Sequence, residues 1–183
     1  FGQEEENQDS FNSMGQAALP LFIAMFVLMA LLFRSLIQPV LIFTALPFAF
    51  FGVATGLYLT NNPISFFSML GVFALIGISL NNTILLTDYA NQARSEGKSP
   101  TEAIAVAVRE RLRPLLTTSL TSVLALLPLA LNDPFWEGLA YALIFGLLSS
   151  TILVLLVFPY FYLITSSFGD RFSKLFKKIS RRK

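Results

Sequence analysis

Five long apolar runs constrain this chain more than any other feature, at residues 15–33, 40–59, 64–90, 114–131 and 138–164. Each is about long enough to cross a hydrocarbon layer of ~30 Å at ~1.5 Å of helix rise per residue. Inside lipid every backbone N–H and C=O has to be satisfied within its own segment, so runs of this kind fold as helices. The expected fold class is therefore an all-α membrane protein of five transmembrane helices. A shorter helix is expected over residues 100–112, where Ser99-Pro100-Thr101-Glu102 offers an N-cap, a proline at the first helical position and a capping-box glutamate. Ile104, Val108 and Leu112 then repeat every four residues, the pattern of a short amphipathic cytoplasmic connector lying at the interface.

The charges are segregated along the chain. Residues 1–14, 60–63 and 132–137 contain no Lys or Arg, and all 13 basic residues lie on the opposite side of a five-pass weave. That side carries Arg34, then Arg94, Lys98, Arg109, Arg111 and Arg113, then the tail from Arg171 to Lys183. By the positive-inside rule it is cytoplasmic, which puts the N-terminus outside and the C-terminus inside. Residues 1–13 read as a solvated, acidic extracytoplasmic lead-in bearing Glu4, Glu5, Glu6 and Asp9. They lack the basic and apolar regions of a secretory signal. A polar start delivered outside without a signal predicts an earlier membrane segment, and so a C-terminal piece of a larger protein. Residues 14–168 are the expected bundle. Residues 169–183 are a basic cytoplasmic tail attracted to anionic headgroups of the lipid bilayer.

Composition removes most enzyme chemistry. With no cysteine and no histidine, disulfides, thiol nucleophiles, His-based acid–base catalysis and His/Cys metal sites are all excluded. No cofactor is expected, and nothing supports binding to nucleic acid. Function has to be sought in polar groups set inside the spans, which at membrane depth face partner helices or a polar path. In the third span Gly71, Ala74, Gly77 or Ile78, and Asn81 fall on one face, with Asp88 further along the same stripe. Asn82 lies about 100° away, beside Ser79. Asn81 is therefore expected to face the bundle. In the fourth span Thr118, Thr121, Ser122 and Ala125 share a face flanked by Thr117 and Ser119. Many helical hydroxyls simply bond back to the preceding turn. No titratable side chain lies deep in a span, so this stretch is not expected to form a proton pathway by itself.

Small residues mark expected close approaches. Gly52 and Gly56 have G-x-x-x-G spacing, Gly71 and Gly77 lie on the third span, and Gly138, Ala142, Gly146 and Ser150 recur every four residues on the fifth. Trp136, next to the turn Asn132-Asp133-Pro134, suits an interfacial belt.

The run GISLNNTILLTDYANQARSEGKSPTEAIAVAVRERLRPLLTTSLTSVLALLPLAL closely resembles the third-to-fourth-helix region of the second membrane half of resistance-nodulation-division (RND) efflux pumps of the acriflavine-resistance type. The resemblance rests on N-N-x-I-L-L-x-[DE]-[YF]-A, the G-K-S-P-x-E-A connector and R-L-R-P-[IL]-L-x-T-[ST]-L followed by L-P-L-A. The FRSLIQP loop is similar too. It implies the last five of twelve transmembrane helices of a bacterial inner-membrane, proton-driven antiporter that exports drugs or other small amphiphiles. It further implies a homotrimer, a missing N-terminal half of the same pump, a periplasmic adaptor and an outer-membrane channel. Such pumps build the proton site around an aspartate pair in the first half. The second half supplies a polar residue at Asn81, a hydroxyl at Thr118 and an arginine at Arg111, with Asn82, Thr117 and Asp88 as secondary candidates. The best-known members have a lysine where Asn81 stands. A lysine can pair with ionised carboxylates, whereas asparagine offers only hydrogen bonds. A second reading is a non-transporting helical module, a lipid-sensing or packing half-bundle that associates with another subunit.

Overall fold

The computed structural model describes the backbone of residues 2–180 and the side chains of residues 11–166. The described residues form helices joined by short turns and no strand: α1 Gly2–Phe33, α2 Ile37–Phe43, α3 Ala45–Leu59, α4 Phe66–Ser95, α5 Pro100–Asn132 and α6 Glu137–Ser180. Five stretches are long and apolar enough to cross a membrane: Phe11–Phe33, Ile37–Leu59, Phe66–Ser95, Pro100–Asn132 and Glu137–Ser166. The fold is that of an all-α membrane bundle. The side chains of the acidic lead-in before Phe11 and of the basic tail lie outside the described residues.

Three boundaries differ from the sequence expectation, each for a local reason. α1 begins at Gly2, so the acidic lead-in continues the first span as helical backbone. The second span starts at Ile37 and breaks at Thr44 into α2 and α3. Pro47, with no N–H, cannot bond the carbonyl of Phe43, and Thr44 instead closes onto Leu41 O through its N–H at 3.2 Å and its hydroxyl at 2.6 Å. The connector and the fourth span are one continuous helix, α5, which runs through Pro114 and Pro128. A proline removes one backbone bond but need not end a helix whose neighbours hold it straight.

The caps follow the sequence. Ser99 accepts from the N–H of Glu102 at 3.3 Å while the Glu102 carboxylate accepts from the N–H of Ser99 at 2.9 Å. Ser65 and Ser68 form the equivalent box at the start of α4, with the Ser68 hydroxyl standing in for the glutamate. Gly97 takes φ +91° in the turn before α5, a backbone conformation that a side chain would strain.

α6 is the axis of the bundle and packs against α3, α4 and α5. Its small residues make this possible: Gly138, Ala142, Gly146 and Ser150 are all buried. A Cβ on Gly52 would lie 2.5 Å from the carbonyl oxygen of Phe145 and closer still to the Cβ of Ser149. One on Gly56 would collide with the Phe145 side chain, one on Gly146 with Leu75, and one on Gly71 would lie 2.9 Å from the carbonyl oxygen of Leu139. Toward the basic end Leu41, Leu86, Ala90, Ile104, Val154 and Phe158 form a shared core. At the opposite end Phe67 packs its ring against Phe135 and Trp136, with centroids 4.3 Å and 5.0 Å away. α1 is peripheral. It touches α2 and, more sparsely, α4, and leaves Leu28, Leu31 and Leu32 exposed.

Candidate functional site

Two buried hydroxyl pairs tie α4 and α5 to α6. Ser79 and Ser150 are 2.6 Å apart, and Ser119 and Thr151 are 2.7 Å apart. Ser150 and Thr151 are neighbours in sequence, so one point on α6 holds α4 and α5 in register. Asn81 lies two residues from Ser79 and Thr118 one residue from Ser119, offsets of about 3 Å and 1.5 Å along their helices. Because α4 and α5 are antiparallel, both offsets run toward the basic end. Asn81 and Thr118 thus sit at nearly the same depth.

Around α5 three faces separate cleanly. Leu115, Ser119 and Ala130 are buried against the bundle. Leu116, Leu120, Leu124, Leu127 and Leu131 form an exposed leucine face, with Leu124 64% and Leu131 70% exposed. The third face carries Pro114, Thr117, Thr118, Thr121 and Ala125, also exposed but short and hydroxyl-rich. The outer stripe of α4 is of the same kind, with Ala74, Gly77, Asn81 and Asp88 exposed, and Gly77 has no atom within 4 Å of an added Cβ. Leucine faces suit acyl chains, whereas small and hydroxyl-bearing faces suit another helix. Among the described residues α4 and α5 therefore each expose a helix-grade stripe, and α5 a separate lipid-grade one.

The Thr118 hydroxyl donates to the carbonyl of Pro114 at 2.8 Å, and Thr121 does the same to Thr117 at 2.8 Å. Their protons are committed to the backbone while their oxygen lone pairs point outward as acceptors. Arg111 stacks its guanidinium 4.0 Å above the ring centroid of Tyr89, and its Nε is buried without an acceptor. It lies seven residues from Thr118, about 10 Å nearer the basic end.

Residues 1–166 match the model of the AcrB/AcrD/AcrF family. The chain belongs to that family of RND efflux pumps. It is 36% identical over 175 residues to the swarming motility protein SwrC of Bacillus subtilis, a match covering 93% of this chain and 17% of that protein. It is 32% identical over 178 residues to the multidrug resistance protein MdtC of Salmonella paratyphi B, covering 94% of this chain and 17% of that one. Its fold matches a crystal structure of a heavy metal efflux pump with a TM-score of 0.78 and 30% identity, covering 88% of this chain and 17% of that chain. The chain thus spans about a sixth of the relatives it matches, and what it supplies is RND transmembrane bundle.

Within this RND bundle the expected site residues separate by level and by face. Asn81 and Thr118 share a level, whereas Arg111 and Asp88 lie nearer the basic end. Asn81, expected to face the bundle, is exposed on this chain: two residues on from Ser79, it points about 200° away from the buried line of α4. Gly77, expected to pack, lies on that same open stripe. Asn82 is half-buried at the flank, and Thr117 is exposed beside Thr118.

Sequence reasoning passed over the hydroxyls that the bundle does bury. Ser79, Thr83 and Thr87 are enclosed, and the last two bond back to Ser79 O at 3.0 Å and Thr83 O at 2.8 Å. Gln38 and Asn91, far apart in sequence, pair their amides reciprocally at 3.2 Å and 3.0 Å. The usable signal for Ser79, Thr83 and Thr87 was their four-residue spacing on the side of Leu75 and Leu86. The amide pair left no such trace. Among the described residues no group of three or more carboxylates gathers as a metal would require.

Proposed function

We propose that this chain is the C-terminal membrane part of a proton-driven RND exporter of drugs or other small amphiphiles, working in the bacterial inner membrane. Its start would face the periplasm and its basic tail the cytoplasm. The chain would operate with the N-terminal half of the same pump in a homotrimer, served by a periplasmic adaptor and an outer-membrane channel. Substrate would be captured outside the membrane, and these helices would convert protonation into helix displacement.

The observation that carries this reading is the helix-grade face of α4 and α5, with Asn81 and Thr118 at one depth on it. Uncovered short polar side chains at mid-span are costly against acyl chains, so this face is where a helix of the other half would sit. Asn81 can donate to an ionised carboxylate on such a helix and accept from a protonated one, and Thr118 can accept from the protonated one. The face thus discriminates protonation states by hydrogen bonding, without a charge of its own. Arg111, one level nearer the basic end, supplies fixed positive charge below it.

Thr118→Ala in the intact pump tests the reading. Drug resistance of cells carrying the variant should fall to that of cells without the pump, with equal amounts of protein in the membrane. Full retained export would remove Thr118 from the relay.

A further inference from the structure

The two hydroxyl pairs on α6 set a common depth for groups on two other helices. Thr151 stands one residue, about 1.5 Å of rise, nearer the basic end than Ser150. Ser150 bonds Ser79 on α4 at 2.6 Å, and Thr151 bonds Ser119 on α5 at 2.7 Å. Asn81 lies about 3 Å from Ser79 toward the basic end, and Thr118 about 1.5 Å from Ser119 in the same direction. The one-residue stagger on α6 makes up the difference between these two offsets. Asn81 and Thr118 therefore both come to lie about 3 Å beyond Ser150 on the basic side.

Stability alone does not call for hydroxyls at these four positions. Ser79, Ser119, Ser150 and Thr151 are all buried, and a matched pair of apolar groups in the same space would be nearly neutral. Other hydroxyls of α4 and α5 are satisfied within their own helix. Thr83, Thr87, Thr118 and Thr121 each bond to the carbonyl four residues back. A hydroxyl in this bundle thus has no need of a second helix, yet these four use one. What such a bond adds over apolar contact is register. A slide of about 1.5 Å across a transverse bond of this length stretches it to about 3.1 Å, outside the O–H···O range of roughly 2.5–3.0 Å.

We propose that Ser119 and Thr151 are positioning residues for Thr118, and Ser79 and Ser150 for Asn81, an inference that rests on the role given to Asn81 and Thr118 above. The two bonds hold both groups at one depth against the helix of the other half while α4, α5 and α6 move as a unit.

The test is transport of the dye ethidium by the intact pump in proteoliposomes under an imposed proton gradient, with rate measured against dye concentration. Substrate is captured outside the membrane in that reading, so displacement of Thr118 should lower the maximal rate and leave KM unchanged. Ser119→Ala, Thr151→Val and the double variant should each lower it by the same factor of about three, the loss of one average hydrogen bond between membrane helices. Thr151→Ser keeps the hydroxyl and should keep the wild-type rate. Ser149→Ala controls for stability alone: it cuts a bond of 2.8 Å from α6 to Phe48 O on α3, which holds neither α4 nor α5, and should leave the rate unchanged. Thr151→Val retains the native shape and gives the measurement if Ser119→Ala fails to reach the membrane. Wild-type rates in folded Ser119→Ala and Thr151→Val, with Thr118→Ala inactive, would overturn the positioning role and leave the efflux reading intact. An equal loss in Ser149→Ala, or a larger loss in the double variant, would overturn it as well. Full transport by Thr118→Ala would remove Thr118 from the relay and the proposal with it.

Discussion

Gly52→Ala is the smallest change that tests how this bundle is held together. A methyl there would lie 2.5 Å from Phe145 O and 3.0 Å from Gly146 Cα, and nearer still to Ser149 Cβ. Two of these three obstacles are backbone atoms and the third is a Cβ fixed by the backbone, so no rotamer change relieves them. α3 and α6 would have to separate by roughly 1 Å to reach ordinary contact distance, the kind of overpacking that costs about 1–3 kcal/mol. Separation would also stretch the bond from the Ser149 hydroxyl to Phe48 O, now 2.8 Å, worth about 0.6 kcal/mol on average among membrane helices. The sum is about 1.6–3.6 kcal/mol. That loss should lower the melting temperature of the purified transporter below that of wild type, by less than the roughly 2–4 °C per kcal/mol of a chain of 150–250 residues, because the intact pump is larger. Gly15→Ala, on the peripheral helix α1, is the internal control. With nothing within 4 Å of an added methyl, the change brings only the helix-propensity gain of about 0.5–1 kcal/mol, so this variant should melt no lower than wild type. Thermal denaturation followed by circular dichroism reads both. If Gly52→Ala melted within a degree of wild type, the close approach of α3 and α6 would not be what stabilises the bundle.

The hydroxyl pairs and the topology give two further predictions. In a double-mutant cycle, Ser79→Ala and Ser150→Ala should show a coupling of about 0.6–1.7 kcal/mol, because each removes the same buried bond, and strictly additive effects would mean that the pair is not formed. Because the chain has no cysteine, single cysteines can report sidedness directly. In intact cells an impermeant thiol reagent should label Asn61→Cys and Asn132→Cys, and should reach Ser95→Cys only after permeabilisation. Labelling of Ser95→Cys in intact cells would reverse the orientation.

The five-helix membrane fold was legible from the sequence because run length and apolarity are set by the thickness of a bilayer. The capping boxes at Ser99 and the close-packing stripe from Gly138 to Ser150 were equally plain, because each depends on neighbours within about a turn of one helix. Boundaries that depend on one missing backbone bond were harder. The second span was read as one run over residues 40–59, whereas Pro47 splits it at Thr44, and Pro114, read as the start of the fourth span, leaves α5 unbroken. The motifs around Asn81 and Thr118 named the family, but their facing had to come from the structure.

The sequence alone determined that this is membrane helix, how many passes it makes and which residues are small enough for close contact, since those properties are local sums of hydrophobicity and volume. Only the tertiary structure decided which side of each helix is covered. Ser79 and Asn81 are two residues apart in equally apolar surroundings, and α6 buries the first and leaves the second open. A helical period places side chains relative to one another; only the neighbouring helix, through Ser150 on Ser79 and Thr151 on Ser119, chooses which face it covers.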